Sequence, residues 1–277
     1  MKGINFLKLL GADHDSVTAS WFDYGITVGN KHRYFFVETP KVACTTIKNF
    51  LRKIEGFSSL ENIKNIHYRE FSQLKGLSSI KSYSSLDKIY KYYFVFAFVR
   101  EPLDRVYSAY KSKFVRAQRI NDVGEYRYVL PESYRKDLIQ MEKKGLYNPG
   151  SRLSFQNFLR YISDQKDRER NPHWRLQYNL LGLPYLSYHF IGRQEYFNED
   201  FSYVLRQLSL SSKDEMLLKN TNKTASLSSE KDFVDLDLEL FQDAYRLDYE
   251  LFKKLPIKSE DKPDLTRKNL LQRLFLA

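Results

Sequence analysis

The segment Thr39-Pro40-Lys41-Val42-Ala43-Cys44-Thr45-Thr46 sets a lysine and two adjacent threonines between an apolar run and an amphipathic one. If the first run is a strand and the second a helix, this loop lies at a helix N-terminus. There the first backbone N–H groups have no intrahelical partner and carry the positive end of the helix dipole, so they attract an anion. Lys41 would add a point charge on a flexible stem, and Thr45 and Thr46 would add hydroxyl donors. That combination suits holding a phosphate or a sulfate. The GxxxxGK[ST] pattern of common nucleoside triphosphatases is missing, and the loop has no glycine. Taken alone, it reads equally well as a turn whose threonines cap a helix and whose lysine is solvated.

A second group of residues follows the same logic. Arg100 ends another apolar run, and Ser108 lies about two turns into the segment after it. In open α/β sheets ligands bind beyond the carboxyl ends of parallel strands, where both Lys41 and Arg100 would fall. A guanidinium and a hydroxyl there suit a second phosphate. The plainer alternative is a strand-end arginine paired with Glu101 or Asp104. For proton transfer the chain offers five histidines, His14, His32, His67, His173 and His189. They show no HxxxH or HExxH spacing, so no metal is expected. A histidine suits the role of general base because its ordinary pKa lies near neutrality.

These residues need elements to position them. Arg33–Glu38 (RYFFVE) is a short apolar and aromatic run typical of a buried strand. After the loop, Ile47, Phe50, Leu51 and Ile54 recur at helical spacing, with Gly56 placed to end the helix. Tyr92–Val99 is apolar on both faces, as a central parallel strand covered by helices would be. Arg100-Glu101-Pro102 breaks it, and Val106, Tyr107, Tyr110 and Phe114 then share one helix face. Two strand–loop–helix units joined by a crossover predict an α/β fold with a central, mainly parallel sheet flanked by helices. Further along, residues 115–150 read as a polar, mostly surface insert with a helix near Tyr134–Lys143. Phe155–Ile162 reads as a helix opened by Ser154, Tyr188–Gly192 as a strand, and Asn198 as the cap of a helix through Leu208. Residues 211–231 read as a loop, Phe233–Leu255 as one long helix, and Pro263 as the start of a last one.

Bulk properties narrow the field less. The 277 residues show no convincing linker and are read as a single domain, 1–277. The net charge of +11 favours an anionic partner without choosing its class. Basic residues are dispersed rather than gathered into an arm, so no nucleic-acid partner is expected. Cys44 is the only cysteine, which excludes a disulfide within the chain and suits a reducing compartment. With no long apolar run either, the expectation is a cytoplasmic protein without a membrane span.

Read together, PKVACTTIK and FVREPLDRVYSAYKSKF resemble the paired nucleotide-binding motifs of the carbohydrate sulfotransferases, especially the group containing chondroitin and dermatan 4-O-sulfotransferases. NPHWRLQYNLL, YHFIGRQEYFNEDFSYVL and AYRLDYELF extend the likeness across roughly residues 33–254. The resemblance implies a P-loop-NTPase-like sulfotransferase fold and sulfuryl transfer from 3'-phosphoadenosine 5'-phosphosulfate (PAPS) to a carbohydrate hydroxyl, in line and without metal. The acceptor would be a carbohydrate, with an anionic polysaccharide or glycolipid among the options. It implies that Lys41, Val42, Ala43, Cys44, Thr45 and Thr46 hold the 5'-phosphosulfate, Lys41 also serving catalysis, and that Arg100 and Ser108 hold the 3'-phosphate. A later loop within Lys219–Thr224, with Lys223 and Thr224, would close over the nucleotide. His67, in the region where related enzymes place a catalytic histidine, and His173, in a recurring His-Trp pair, are the candidate bases, with Glu70 and Glu195 as fallback carboxylates. The segment LLGLPY lacks the cysteines of animal secretory relatives and no anchor is visible, which suggests a bacterial-type relative. The competing readings are a P-loop-type small-molecule or sugar kinase, a non-catalytic polyanion-binding protein, and an inactive relative that keeps the fold.

Overall fold

A computed structural model describes residues 6, 16–57, 66, 72–80, 91–120, 126–183, 185–210 and 235–255. In chain order the elements begin with α1 (Ser16–Gly25), β1 (Ile26–Gly29), β2 (Tyr34–Val37), α2 (Cys44–Ile54), β3 (Phe94–Val99), α3 (Pro102–Lys113), β4 (Gln118–Ile120) and β5 (Tyr126–Tyr128). They continue with α4 (Glu132–Lys143), α5 (Phe155–Ser163), α6 (Gln177–Leu180), β6 (Phe190–Arg193), α7 (Phe197–Gln207), α8 (Asp235–Ala244) and α9 (Arg246–Lys254). Contacts gather the chain into two compact units. One comprises Met1–Arg100, Leu176–Asn222 and Glu250–Ala277; the other comprises Glu101–Arg175 and Lys223–Tyr249. The sequence reads as one domain because each unit is assembled from separate stretches, so no single linker divides them.

The first unit is built on a four-stranded sheet of order β1-β2-β3-β6. The β2–β3 and β3–β6 pairings are parallel and β1–β2 is antiparallel, so the sheet is mainly parallel with an antiparallel edge. Side chains alternate across it with the period of two that a strand imposes. Tyr34, Phe36, Phe96, Phe98 and Phe190 pack on one face with Ile47, Phe50, Leu51 and Ile54 of α2 and Phe201 and Val204 of α7. Phe35, Val37, Val95, Ala97, Val99 and Ile191 pack on the other with Trp21 and Phe22 of α1, Leu180 of α6 and Leu251 of α9. The Val, Leu, Ile and Phe side chains among them each contribute roughly 1.5–3 kcal/mol by leaving water. The aromatic face leaves no room over β6, where a Cβ on Gly192 would lie 2.4 Å from the Phe98 ring.

The second unit packs helices around rings. Tyr107, Tyr110 and Phe114 of α3 meet Phe155 and Phe158 of α5 and Trp174, with ring centroids 5.0–6.2 Å apart. Residues 115–150 are less superficial than expected. They hold the antiparallel β4–β5 hairpin and α4, and they bury Leu130, Tyr134, Met141 and Tyr147. Tyr134 and Tyr147 anchor the segment.

Two boundaries differ from expectation. Asn198 does not cap α7; the helix begins at Phe197, and Asn198 lies in its first turn, its carbonyl accepting from the Ser202 hydroxyl. The buried Asp200 carboxylate makes the connection to β6, accepting the Arg193 N–H at 2.6 Å. The long C-terminal helix is two, α8 and α9, parted at Tyr245, whose carbonyl accepts the Asp248 N–H at 2.9 Å in a tighter turn. Tyr245 is fully buried with its hydroxyl donating to the Trp174 carbonyl, a tie that helical periodicity does not reveal. The expected loop 211–231, the helix from Pro263, and His67, Glu70, Lys219, Lys223 and Thr224 lie outside the described residues.

Candidate functional site

The loop between β2 and α2 has the geometry of an anion cradle. Lys41 (φ 72°) and Ala43 (φ 64°) both take the left-handed backbone, whereas Val42 between them does not. Backbone handedness that alternates in this way turns successive N–H groups toward one concavity, the nest that holds anions in other phosphate loops. Ala43 is the N-cap of α2 and brings no side-chain cap, so the first turn is not closed by a protein hydroxyl or carboxylate from that position. Val42 and Cys44 are buried and offer only their backbone, while Lys41, Thr45 and Thr46 reach the surface. The Thr39 hydroxyl, at the loop's entrance, is buried with no hydrogen-bond partner among the described residues.

What holds the loop lies beneath it. Glu38, just past β2, forms an ion pair with Lys48 in the second turn of α2, and both are almost wholly buried. Lys48 also lies 5.0 Å from the centre of the Tyr24 ring. The pair ties the strand end to the helix and so fixes the span of the loop. The Cys44 thiol shares this pocket. Burial, and then the Glu38 carboxylate, push its pKa up to about 12, so it stays protonated and is no nucleophile.

Arg100 stands at the same edge of the sheet. β2 and β3 are adjacent and parallel, with Val37 opposite Ala97, so the chain leaves both strands in the same direction, about 4.8 Å apart. Lys41 and Arg100 follow within four residues of those strand partners, inside one unit. Arg100 is 5% exposed. Its peptide is gripped on both sides: its N–H donates to Gln177 Oε1 at 2.9 Å, and Gln177 Nε2 donates to its carbonyl at 2.8 Å. The Glu101 carboxylate caps α3, accepting the Asp104 N–H at 2.7 Å. Burial raises its pKa, while that amide and the Tyr249 hydroxyl oppose the rise.

The second unit holds Ser108 and His173. Ser108 is buried in α3. The segment carrying His173 is held at nearly every carbonyl. The fully buried Arg105 guanidinium donates to the carbonyls of Pro172 (2.9 Å) and Arg175 (2.8 Å). Tyr245 donates to that of Trp174, and the Asn171 carbonyl accepts from the amides of Trp174 and Arg175. Asn171 Oδ1 accepts the His173 backbone N–H at 3.1 Å and lies 2.9 Å from its ring Nδ1. The Tyr134 hydroxyl lies 3.2 Å from the same Nδ1, so two side chains orient the ring. The other described histidines serve the backbone: His189 Nδ1 accepts the Val95 N–H, and His32 Nε2 donates to the Ile54 carbonyl.

Of the residues singled out by sequence, the 41–46 loop and Arg100 thus share one sheet edge, and Ser108 and His173 belong to the other unit. Glu195 is exposed at the turn before α7. Sequence reasoning missed Glu38 and Lys48, Arg105, Asn171 and Gln177. The last two lay within NPHWRLQYNLL, but nothing in its spacing shows an amide grasping a peptide. Among the described residues no group of three or more His, Cys, Asp or Glu is placed to hold a metal ion, and no helix is long and apolar enough to cross a membrane.

A left-handed loop and an arginine thus stand at adjacent tips of a parallel sheet, where anionic groups could be held. A model of the Sulfotransferase family matches residues 24–254, and the chain belongs to that family. Carbohydrate sulfotransferase 14 of Danio rerio is 30% identical over 187 residues, 66% of this chain and 48% of that protein. Carbohydrate sulfotransferase 11 of Rattus norvegicus is 27% identical over 237 residues, 82% of this chain and 66% of the relative. Carbohydrate sulfotransferase 10 of Gallus gallus is 33% identical over 195 residues, 65% and 51% of the two. The chain therefore spans between about half and two thirds of the length of these relatives. No solved structure matches it.

Proposed function

We propose that this protein transfers a sulfuryl group from PAPS to a hydroxyl of a carbohydrate. The observation that carries the reading is the pairing, inside one unit, of the 41–46 cradle with Arg100 at the same edge of the sheet. The cradle amides with Lys41, Thr45 and Thr46 receive the 5'-phosphosulfate, and Arg100 receives the 3'-phosphate; the resemblance assigns Ser108 to that phosphate and Lys223 and Thr224 to closure over the nucleotide. In the transfer the acceptor oxygen attacks sulfur, and the bond from sulfur to the bridging phosphate oxygen breaks. The electron pair leaves with adenosine 3',5'-bisphosphate. Lys41 neutralises charge growing on the bridging oxygen, and loop amides stabilise the sulfuryl oxygens. The acceptor proton goes to a histidine. His67 and His173 are the candidates, and the Asn171 and Tyr134 side chains that orient the His173 ring support His173; turnover abolished by His67→Ala but kept by His173→Ala assigns the role to His67, and the reverse assigns it to His173.

Relatives named as carbohydrate sulfotransferases support a carbohydrate acceptor, and the charge of +11 suits an anionic polysaccharide, with a glycolipid also in range. A screen of acceptors with radiolabelled PAPS identifies it. The single cysteine suits a reducing compartment, and the proposal of a cytoplasmic location is tested by cell fractionation. The test of the chemistry is Lys41→Ala. The variant is expected to fold and to lose most turnover, on the order of 10²-fold or more. Undiminished turnover removes Lys41 from the reaction.

A further inference from the structure

Beyond β3 the sheet ends. Val99 pairs with Arg193 and Val37 with Ala97, so the Arg100 peptide is one residue past the last ladder pair. A peptide there, 95% removed from water by the burial of its residue, needs partners for both its N–H and its carbonyl. A neighbouring strand would normally provide them. Here the Gln177 carboxamide does so instead, accepting at 2.9 Å and donating at 2.8 Å. A primary amide carries the same donor and acceptor as a peptide, and Gln177 is itself 1% exposed at the start of α6. It therefore acts as one further residue of the ladder, at the position from which the Arg100 side chain departs. A guanidinium grips a phosphate well only when its fork is held in a fixed direction, because the strength of the paired hydrogen bonds depends on their geometry. The N–H and the carbonyl of Arg100 belong to the two peptide groups that flank its Cα, so holding both fixes the Cα–Cβ bond and removes one source of that freedom.

We propose that Gln177 is a positioning residue for the 3'-phosphate of the nucleotide: it orients Arg100 and thereby sets the discrimination between a nucleotide carrying a 3'-phosphate and one lacking it. This rests on the reading of Arg100 as the 3'-phosphate ligand, and the test separates the two. Binding of adenosine 3',5'-bisphosphate and of adenosine 5'-monophosphate is measured by calorimetry on the full chain, wild type and Gln177→Ala. The ratio of the two affinities is the readout, since a general loosening of the fold weakens both ligands alike. The wild type is expected to prefer the bisphosphate strongly. Gln177→Ala is expected to lose about ten-fold of that preference while binding the monophosphate as before. Should the alanine variant not fold, Gln177→Leu keeps much of the volume but offers neither a donor nor an acceptor to Arg100, and it is expected to lose the preference too. A ratio equal to that of the wild type in a folded variant overturns the proposal. A wild type that binds both nucleotides equally removes the reading of Arg100, and the proposal with it.

Discussion

Lys41 and Ala43 hold a backbone conformation that costs residues with a side chain on the order of 1–3 kcal/mol each. The chain accepts that strain in the loop proposed to turn its amides toward an anion. Nothing in the residue types announces it, because the signal usually sought is glycine and this loop has none. A residue of the other unit is titratable. Asp137 is buried in α4, where Tyr161 donates to its Oδ1 at 2.8 Å, and burial raises its pKa to about 6 despite that bond. The unfolded chain releases this proton near pH 4. Between those values the native state binds the extra proton, so what Asp137 contributes to stability is present at low pH and lost as pH rises through 6. Asp137→Asn keeps an oxygen for Tyr161 and has no proton to lose. Melting temperatures followed from pH 4 to 7 are expected to fall in the wild type relative to the variant; parallel curves contradict this. Sequence alone placed Asp137 on an expected helix, but its burial depends on partners 24 and more residues away.

Among the elements, β2, β3, α2, α3 and α5 were legible because local pattern and final packing agree. Ser154 caps α5, accepting the Asn157 N–H at 3.1 Å, and Gly56 takes φ 87° just past α2, as their positions suggest. Legibility fails where an element is shaped by a distant partner: β1 exists as an edge only because β2 pairs with it, and Tyr245 parts α8 from α9 through its bond to Trp174. The Glu38–Lys48 tie belongs to the same group, two residues ten apart that alone read as a solvated strand end and a helix surface. Removing one partner of a buried pair strands the other charge. Lys48→Ala is therefore expected to destabilise the protein by about 3–5 kcal/mol in denaturant unfolding. A loss below about 1 kcal/mol, the value of a surface pair, would show that the tie does not set the loop.

For the molecule as a whole, membership of the Sulfotransferase family and a charge of +11 support the proposal of an anionic donor. The sequence placed the 41–46 loop and Arg100 at one sheet edge because each directly follows one of two adjacent parallel strands whose apolar runs are plain. It carried less of the second unit, where His173 depends on Arg105 and Tyr245 from far along the chain. The central claim is that Lys41 and Arg100 grip the two charged ends of one nucleotide. It is tested most directly by the thermal stability of the wild type and of Arg100→Ala with saturating adenosine 3',5'-bisphosphate or with ATP and magnesium. A ligand at a hundred times its dissociation constant stabilises by roughly 2.7 kcal/mol, well within reach of a melting curve. The bisphosphate should raise the melting temperature of the wild type more than ATP does, and most of that rise should vanish in Arg100→Ala. An equal or larger rise with ATP, or a bisphosphate response untouched by the loss of Arg100, would contradict the account.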